Sequence, residues 1–213
     1  MYSSFVIPKS AGALAAAEAP QRAAVIASSI AFAVREQKAA AAQWLRNHDR
    51  ALGELGEQAA TPLSIILDNV RSAPNVGNIF RMAEAARVTH LYTCGITPSP
   101  PESKLLKTAM GAAAYVRHSH RPNTLEVVRE LQAAGVAVWA VETTERSVTL
   151  WEAQLTQPCA LVFGNELIGV DVDVCDACDG MVRVPMLGVK NSLNVATCAS
   201  VLVWEALRQW RED

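Results

Sequence analysis

The sequence predicts an α/β protein built on a mostly parallel, doubly wound sheet and preceded by a helical N-terminal extension. Three observations carry this expectation. From Pro62 onward, short apolar runs alternate with segments of helical period, the signature of βαβ units. The first run, residues 63–67 (LSIIL), is almost wholly apolar, as a strand covered on both faces requires. Before Pro62, residues 21–52 repeat their apolar positions at 3.6-residue steps instead.

Taken in order, residues 21–52 read as a helix with Pro20 near its beginning and Gly53 at its end. On one side fall Ile26, Ile30, Val34, Ala41, Leu45 and Leu52, and on the other Arg35, Lys38, Arg46 and Arg50. That basic stripe is either a solvated face or an RNA-contacting one. Residues 53–62 (GELGEQAATP) read as a linker, so a helical extension with its linker, 1–60, precedes a domain over 61–213. Within the domain, strand 63–67 leads through a loop to helix 75–87. Strand 90–94, a Pro-rich loop at 97–101 and a short helix at 103–108 follow. Then come strand 114–118, helix 124–134 and strands 136–141 and 160–163.

The last strand, 181–186, ends at Pro185, which has no N–H for an interior ladder. In the loop after it, Gly188 lets the backbone approach another segment or a ligand. Asn191 or Ser192 then caps a final helix whose buried face is read as Leu193, Ala196, Thr197, Ser200, Val203, Trp204 and Leu207. This connection is either an ordinary strand-to-helix turn or a place where the free N–H groups of the first helical turn hold a polar ligand. Ligands of doubly wound sheets sit beyond the carboxyl ends of the strands, which directs attention to the loops after Leu67, Val141, Phe163 and Met186.

Composition narrows the function. The 213 residues are 51% hydrophobic and 19% charged, enough for a substantial core, and no apolar run reaches membrane-spanning length. Residues 1–20 lack the basic start of a secretory signal. Five scattered cysteines argue for a reducing, cytoplasmic setting. With a net charge of −2, any nucleic-acid binding has to come from a local patch. No G-x-G-x-x-G occurs, and residues 164–169 continue with Val170 and Asp171 where a P-loop needs Lys and Ser or Thr. Cys175 and Cys178 lack the second ligand pair of a closed zinc site. His118 and His120 share one strand face without a third ligand nearby and read as surface histidines.

Three loops carry a pattern together. Asn75-Val76-Gly77-Asn78-Ile79-Phe80-Arg81 opens a helix, Phe163-Gly164-Asn165-Glu166-Leu167-Ile168-Gly169 follows a strand, and Val184-Pro185-Met186 leads to Ser192-Leu193-Asn194-Val195-Ala196. The chain from residue 63 to 211 thereby resembles the SpoU/TrmH class of SPOUT RNA methyltransferases. The matches are to its motif one, N-x-G-x-x-x-R, its motif two, G-x-E-x-x-G, and its motif three, P-M followed by S-L-N.

The resemblance implies S-adenosylmethionine-dependent methylation of a ribose 2′-hydroxyl in tRNA or rRNA, a C-terminal deep trefoil knot, and a homodimer whose site is completed across the interface. It places Thr143, Gly164, Val184, Met186 and Leu193 around the cofactor. It assigns the chemistry to Arg81, Ser192 and Asn194, with Glu166 ordering the motif-two loop or the RNA-facing wall and Asn75 capping its helix and orienting Arg81. A guanidinium loses its proton only above about pH 12, so Arg81 acts either as an unusual base or as a clamp on an RNA phosphate. Val203, Trp204, Leu207 and Trp210 serve either dimer packing or the core of their own chain. An RNA patch is expected of Arg71, Lys104, Lys107, Arg117, Arg121 and Lys190. Residues 1–60 are shorter than the ribosomal-protein-like domain of some members, which weakens a large-subunit rRNA assignment and leans toward tRNA or another RNA. The competing reading is a knotted RNA-binding protein without transfer activity, against which the intact Arg81, Glu166, Ser192 and Asn194 weigh.

Overall fold

The structure, a computed structural model, describes residues 60–211. The expected N-terminal helix and its basic stripe lie outside the described residues. Among the described residues seven strands form one sheet, the first four alternating with helices: β1 (Thr61–Asp68), α1 (Ala73–Ala85), β2 (Val88–Cys94), α2 (Ser103–Ala109), β3 (His118–Arg121), α3 (Thr124–Ala133) and β4 (Ala137–Val141). They continue with β5 (Val148–Thr149), β6 (Cys159–Phe163), α4 (Val172–Ala177), β7 (Gly180–Arg183) and α5 (Val195–Gln209). All strand pairs are parallel, in the order β3-β2-β1-β6-β4-β7-β5. The chain winds outward from β1 to β3 and then crosses to the other half, where β6 enters between β1 and β4, and β7 between β4 and β5.

Helices cover both faces, which is why β1 is apolar from Leu63 to Leu67 except at Ser64. Leu63, Ile65 and Leu67 face the core shared with α1, α2 and α5, while Ile66 faces the core shared with α3 and α4. All four are fully buried, worth about 1.5–3 kcal/mol each relative to exposure. Helix α1 packs on α2 at Gly77, where a Cβ would overlap Thr108 Oγ1 and the Leu105 carbonyl oxygen. A side chain there would force the two helices apart.

Several boundaries differ from the sequence expectation. The strand expected at 114–118 begins instead at His118, because Gly111 turns left-handed (φ 91°) and Ala112–Ala114 form a 3-10 turn. The β2 ladder reaches this strand only at Arg117, whose carbonyl accepts from Leu91 N at 2.9 Å. Ser72, not Asn75, caps α1, its hydroxyl accepting from Asn75 N at 3.3 Å. Asn194, not Asn191 or Ser192, caps α5, with Oδ1 accepting from Ala196 N at 3.0 Å and Thr197 N at 3.3 Å. The buried face of α5 runs through Ala196, Ala199, Leu202, Val203 and Ala206, so Thr197, Ser200 and Trp204 sit off it and Trp204 is 50% exposed. Alanines let the helix lie close to the sheet and turn the larger indole outward.

Strand β7 stops at Arg183, short of the expected Met186, because Pro185 cannot donate and β5 offers only two residues to pair with. No close neighbour or positive φ requires glycine at Gly188, where a Cβ would meet nothing within 4 Å. Among the described residues no cluster of three metal-ligating side chains occurs, and no helix is long and apolar enough to cross a membrane. Cys175 and Cys178 are free thiols on and just after α4, pushed up by burial to about 11 and about 12 respectively. His118 is half-buried with its ring edge-on to Phe80, and His120 Nδ1 lies 3.2 Å from Thr93 Oγ1.

Candidate active site

At the carboxyl ends of β4, β6 and β7 the three following loops enclose a cleft of about 440 Å³. That volume suits a ligand of nucleoside size. Thr143, Gly164, Val184, Met186 and Leu193 all line it, as do Glu166, Ser192 and Asn194. Asn75 and Arg81 are not part of the lining.

The loop after β6 is a tight, self-bonded turn. Asn165 and Gly169 exchange backbone hydrogen bonds at 2.9 Å in both directions. The Asn165 side chain is buried; its Oδ1 accepts from Leu167 N at 2.9 Å and its Nδ2 donates to the Asn69 carbonyl at 2.7 Å. At Gly164 a Cβ would overlap the Gly169 carbonyl and the Val170 nitrogen, so this loop's own backbone requires glycine there. Across the cleft, Glu142 accepts from Val170 N at 2.9 Å and Thr143 N at 2.8 Å, pinning the β4 loop to the β6 loop.

One chain of hydrogen bonds joins all three motifs. Glu166 accepts from Arg71 N (2.9 Å), Ser72 N (3.0 Å) and Asn75 Nδ2 (3.0 Å) at the amino end of α1. Asn75 Oδ1 in turn accepts from Asn194 Nδ2 at 3.1 Å, and Asn194 caps α5. Burial pulls the Glu166 carboxyl upward, but the donors from Arg71, Asn75 and Ser72 outweigh it and hold the group below the usual carboxylate range. A carboxylate so placed also complements the positive end of α1. Holding three donors at the amino end of α1 and kept ionised by them, Glu166 clamps motif one to motif two.

Because the folded value is lowered, the clamp's contribution to stability is complete above the unfolded carboxylate value of about 4.3 and is lost as pH falls through the lower folded value. Glu166→Gln places an NH2 against a backbone N–H and should melt a few degrees below the wild type at neutral pH. That gap should close in acid. Equal melting at neutral pH would remove the clamp.

Arg81 stands apart. It is exposed on α1, and its Nη1 lies 3.3 Å from Met110 Sδ, with no ion pair among the described residues. Of the expected basic patch, Arg121 is engaged by Glu130 (2.8 and 2.5 Å). Arg117 precedes β3 and so lies at the amino edge of the sheet, away from the cleft. Arg71, Lys104, Lys107 and Lys190 are exposed.

Sequence reasoning missed Glu142, Asn165 and the Asp68–Asn69 pair. Buried Asp68 accepts from Thr124 Oγ1 at 2.5 Å and Asp171 N at 2.9 Å, fastening the end of β1 to the starts of α3 and α4. The available signal was a polar residue directly after a strand covered on both faces.

Comparison with known proteins finds similarity in both sequence and fold. The profile of the SpoU rRNA Methylase family matches residues 62–204. The chain is 32% identical over 163 residues to the 23S rRNA (guanosine-2'-O-)-methyltransferase RlmB of Vibrio parahaemolyticus, covering 76% of this chain and 65% of that relative. It is 31% identical over 160 residues to the tRNA (guanosine(18)-2'-O)-methyltransferase of Thermus thermophilus, covering 75% of this chain and 81% of that one. The AdoMet-bound rRNA methyltransferase structure from Sinorhizobium meliloti aligns with a TM-score of 0.65 at 29% identity, covering 71% of this chain and 62% of that chain. The A. aeolicus TrmH/SpoU tRNA modifying enzyme aligns with a TM-score of 0.64 at 29% identity, covering 71% of this chain and 76% of that chain.

Proposed function

The chain belongs to the SpoU rRNA Methylase family, and from that premise we infer that it transfers the methyl group of S-adenosylmethionine to a ribose 2′-hydroxyl of tRNA or rRNA. The observation that carries this reading is the hydrogen-bonded line Glu166–Asn75–Asn194, which holds three motif loops around one cleft of about 440 Å³. The cleft fits the cofactor by its construction, with apolar Val184, Met186 and Leu193 for an adenosine and a self-bonded glycine loop at its wall. When bound, the sulfonium supplies an electrophilic methyl group. The protein's own task is to orient the ribose and to accept or redistribute the charge that forms on its oxygen.

Asn75 and Asn194 carry no titratable proton and are committed to each other, so they set the spacing of α1 and α5. Ser192 lies exposed in the lining, within the loop that leads to α5. Arg81 clamps a substrate phosphate or supports the developing alkoxide. Its position outside the cleft of its own chain is consistent with a homodimer in which one copy's arginine serves the other's cleft, with the half-exposed Trp204 of α5 at the contact. A knot in which α5 passes through an earlier loop accords with the entry of β7 between β4 and β5. The free thiols accord with a cytoplasmic setting.

Calorimetry should detect S-adenosylmethionine binding by the purified protein in the absence of RNA. No binding at millimolar cofactor would remove the reading. Binding without transfer to tRNA or rRNA would favour the RNA-binding protein without activity.

A further inference from the structure

We propose that Met110 is a positioning residue for Arg81, holding the guanidinium through its thioether sulfur; the proposal rests on the role given to Arg81 above. Gly77 and Arg81 are four residues apart and therefore share one face of α1. At Gly77 the backbone of α2 comes within overlap distance of where a Cβ would stand, and Thr108 Oγ1 lies 3.2 Å from the Pro74 carbonyl and 3.1 Å from the Leu105 carbonyl, its one proton shared between them. The end of α2 is thereby registered on α1. One turn along that face, the residue just past α2 falls on Arg81.

That residue is Met110. It ends α2 in the left-handed conformation (φ 50°, ψ 41°), with its N–H bonded to the Leu106 carbonyl at 3.2 Å. Glycine or asparagine normally occupies such a position because a larger side chain is strained there. Gly111 is left-handed as well (φ 91°), so the chain turns sharply away and leaves the methionine side chain 70% exposed. The strained backbone costs stability, and core packing does not account for it here. What the arrangement provides is a sulfur 3.3 Å from Arg81 Nη1. A thioether is a weak acceptor on a flexible stem, able to direct a guanidinium without neutralising it as a carboxylate would. The arginine keeps its charge and its other donors for the substrate.

The test compares Met110→Leu, which keeps apolar volume and loses the acceptor, with Met110→Gln, which keeps an acceptor on an unbranched stem. Both retain the left-handed strain, so backbone effects cancel. With RNA and S-adenosylmethionine as substrates, Met110→Leu should lower kcat about threefold to tenfold, the range for losing one ordinary hydrogen bond, as suits a weak thioether acceptor. KM for S-adenosylmethionine and the melting temperature should not change, and Met110→Gln should return kcat close to wild type. In an Arg81→Ala background Met110→Leu should have no further effect. If Arg81→Ala is impaired while Met110→Leu turns over normally, or if Met110→Leu costs the same without Arg81, Met110 does not act through Arg81. If Arg81→Ala is itself unimpaired, the role given to Arg81 falls and the positioning role falls with it.

Discussion

Replacing Arg81 by alanine should leave folding and S-adenosylmethionine binding unchanged while methyl transfer falls by about 10² or more, the scale for losing one charge-stabilising or proton-handling group. Folding is spared because Arg81 is exposed and makes only its hydrogen bond to Met110 Sδ among the described residues. Cofactor binding is spared because Arg81 does not line the cleft. Lysine separates the two roles: Arg81→Lys keeps the charge and loses the planar fork, so a bidentate phosphate clamp should fail in it, whereas a purely electrostatic role should largely survive. Transfer by Arg81→Ala at near wild-type rate would mean that the motif-one match has no catalytic meaning in this chain.

A valine at Gly164 should weaken S-adenosylmethionine binding by about tenfold to a hundredfold or more, the range expected if an overlap of about 1–3 kcal/mol is relieved by moving the loop. The overlap is with the Gly169 carbonyl and the Val170 nitrogen, both backbone atoms that no rotamer change can withdraw. Relief requires the Asn165–Gly169 bridge to open, and that bridge forms one wall of the cleft. Gly164→Ala should already be impaired, whereas Gly188→Ala should bind almost normally, since nothing lies within 4 Å of a Cβ there. Melting curves establish whether each variant is folded. A folded Gly164→Val with wild-type affinity would refute this placement of the cofactor.

The contrast between these two glycines marks what the sequence could reveal. Gly164 and Gly188 both follow strands and read alike, yet only the first has a backbone segment packed against it, one five residues further along the chain. The parallel sheet was legible because apolar runs such as residues 63–67 and 160–163 are the direct imprint of helices on both faces. Strand order was not, because β6 and β7 insert between strands laid down earlier, and periodicity says nothing about insertion. Helix α4 and strand β5, six and two residues long, are too short to leave a period. Strand β3 was displaced because Tyr115 and Val116 carry a strand-like pattern while Gly111 and the alanines after it dictate a turn.

The site followed the same division. Its loops could be named from their places after strands and from the three motifs, and eight of the ten expected residues line the cleft. Asn75 resembles a helix cap by residue type. Its real partners, Glu166 and Asn194, lie 91 and 119 residues away in sequence and became visible only in the folded chain. Asp68 reaches Thr124 and the Asp171 nitrogen, Glu142 the Val170 nitrogen and Asn165 the Asn69 carbonyl, and the only imprint of these distant partners in the sequence is a polar residue at or near a strand end.

Incubation of unmodified tRNA and rRNA transcripts with the full chain and methyl-labelled S-adenosylmethionine, followed by mapping of modified positions, addresses the methyltransferase reading most directly. Label should appear on a ribose 2′-oxygen, protecting the adjacent phosphodiester from alkali, and should be absent when Arg81→Ala replaces the wild type. Label on a base, or a wild-type protein that binds cofactor and RNA but leaves every ribose unmodified, would contradict it.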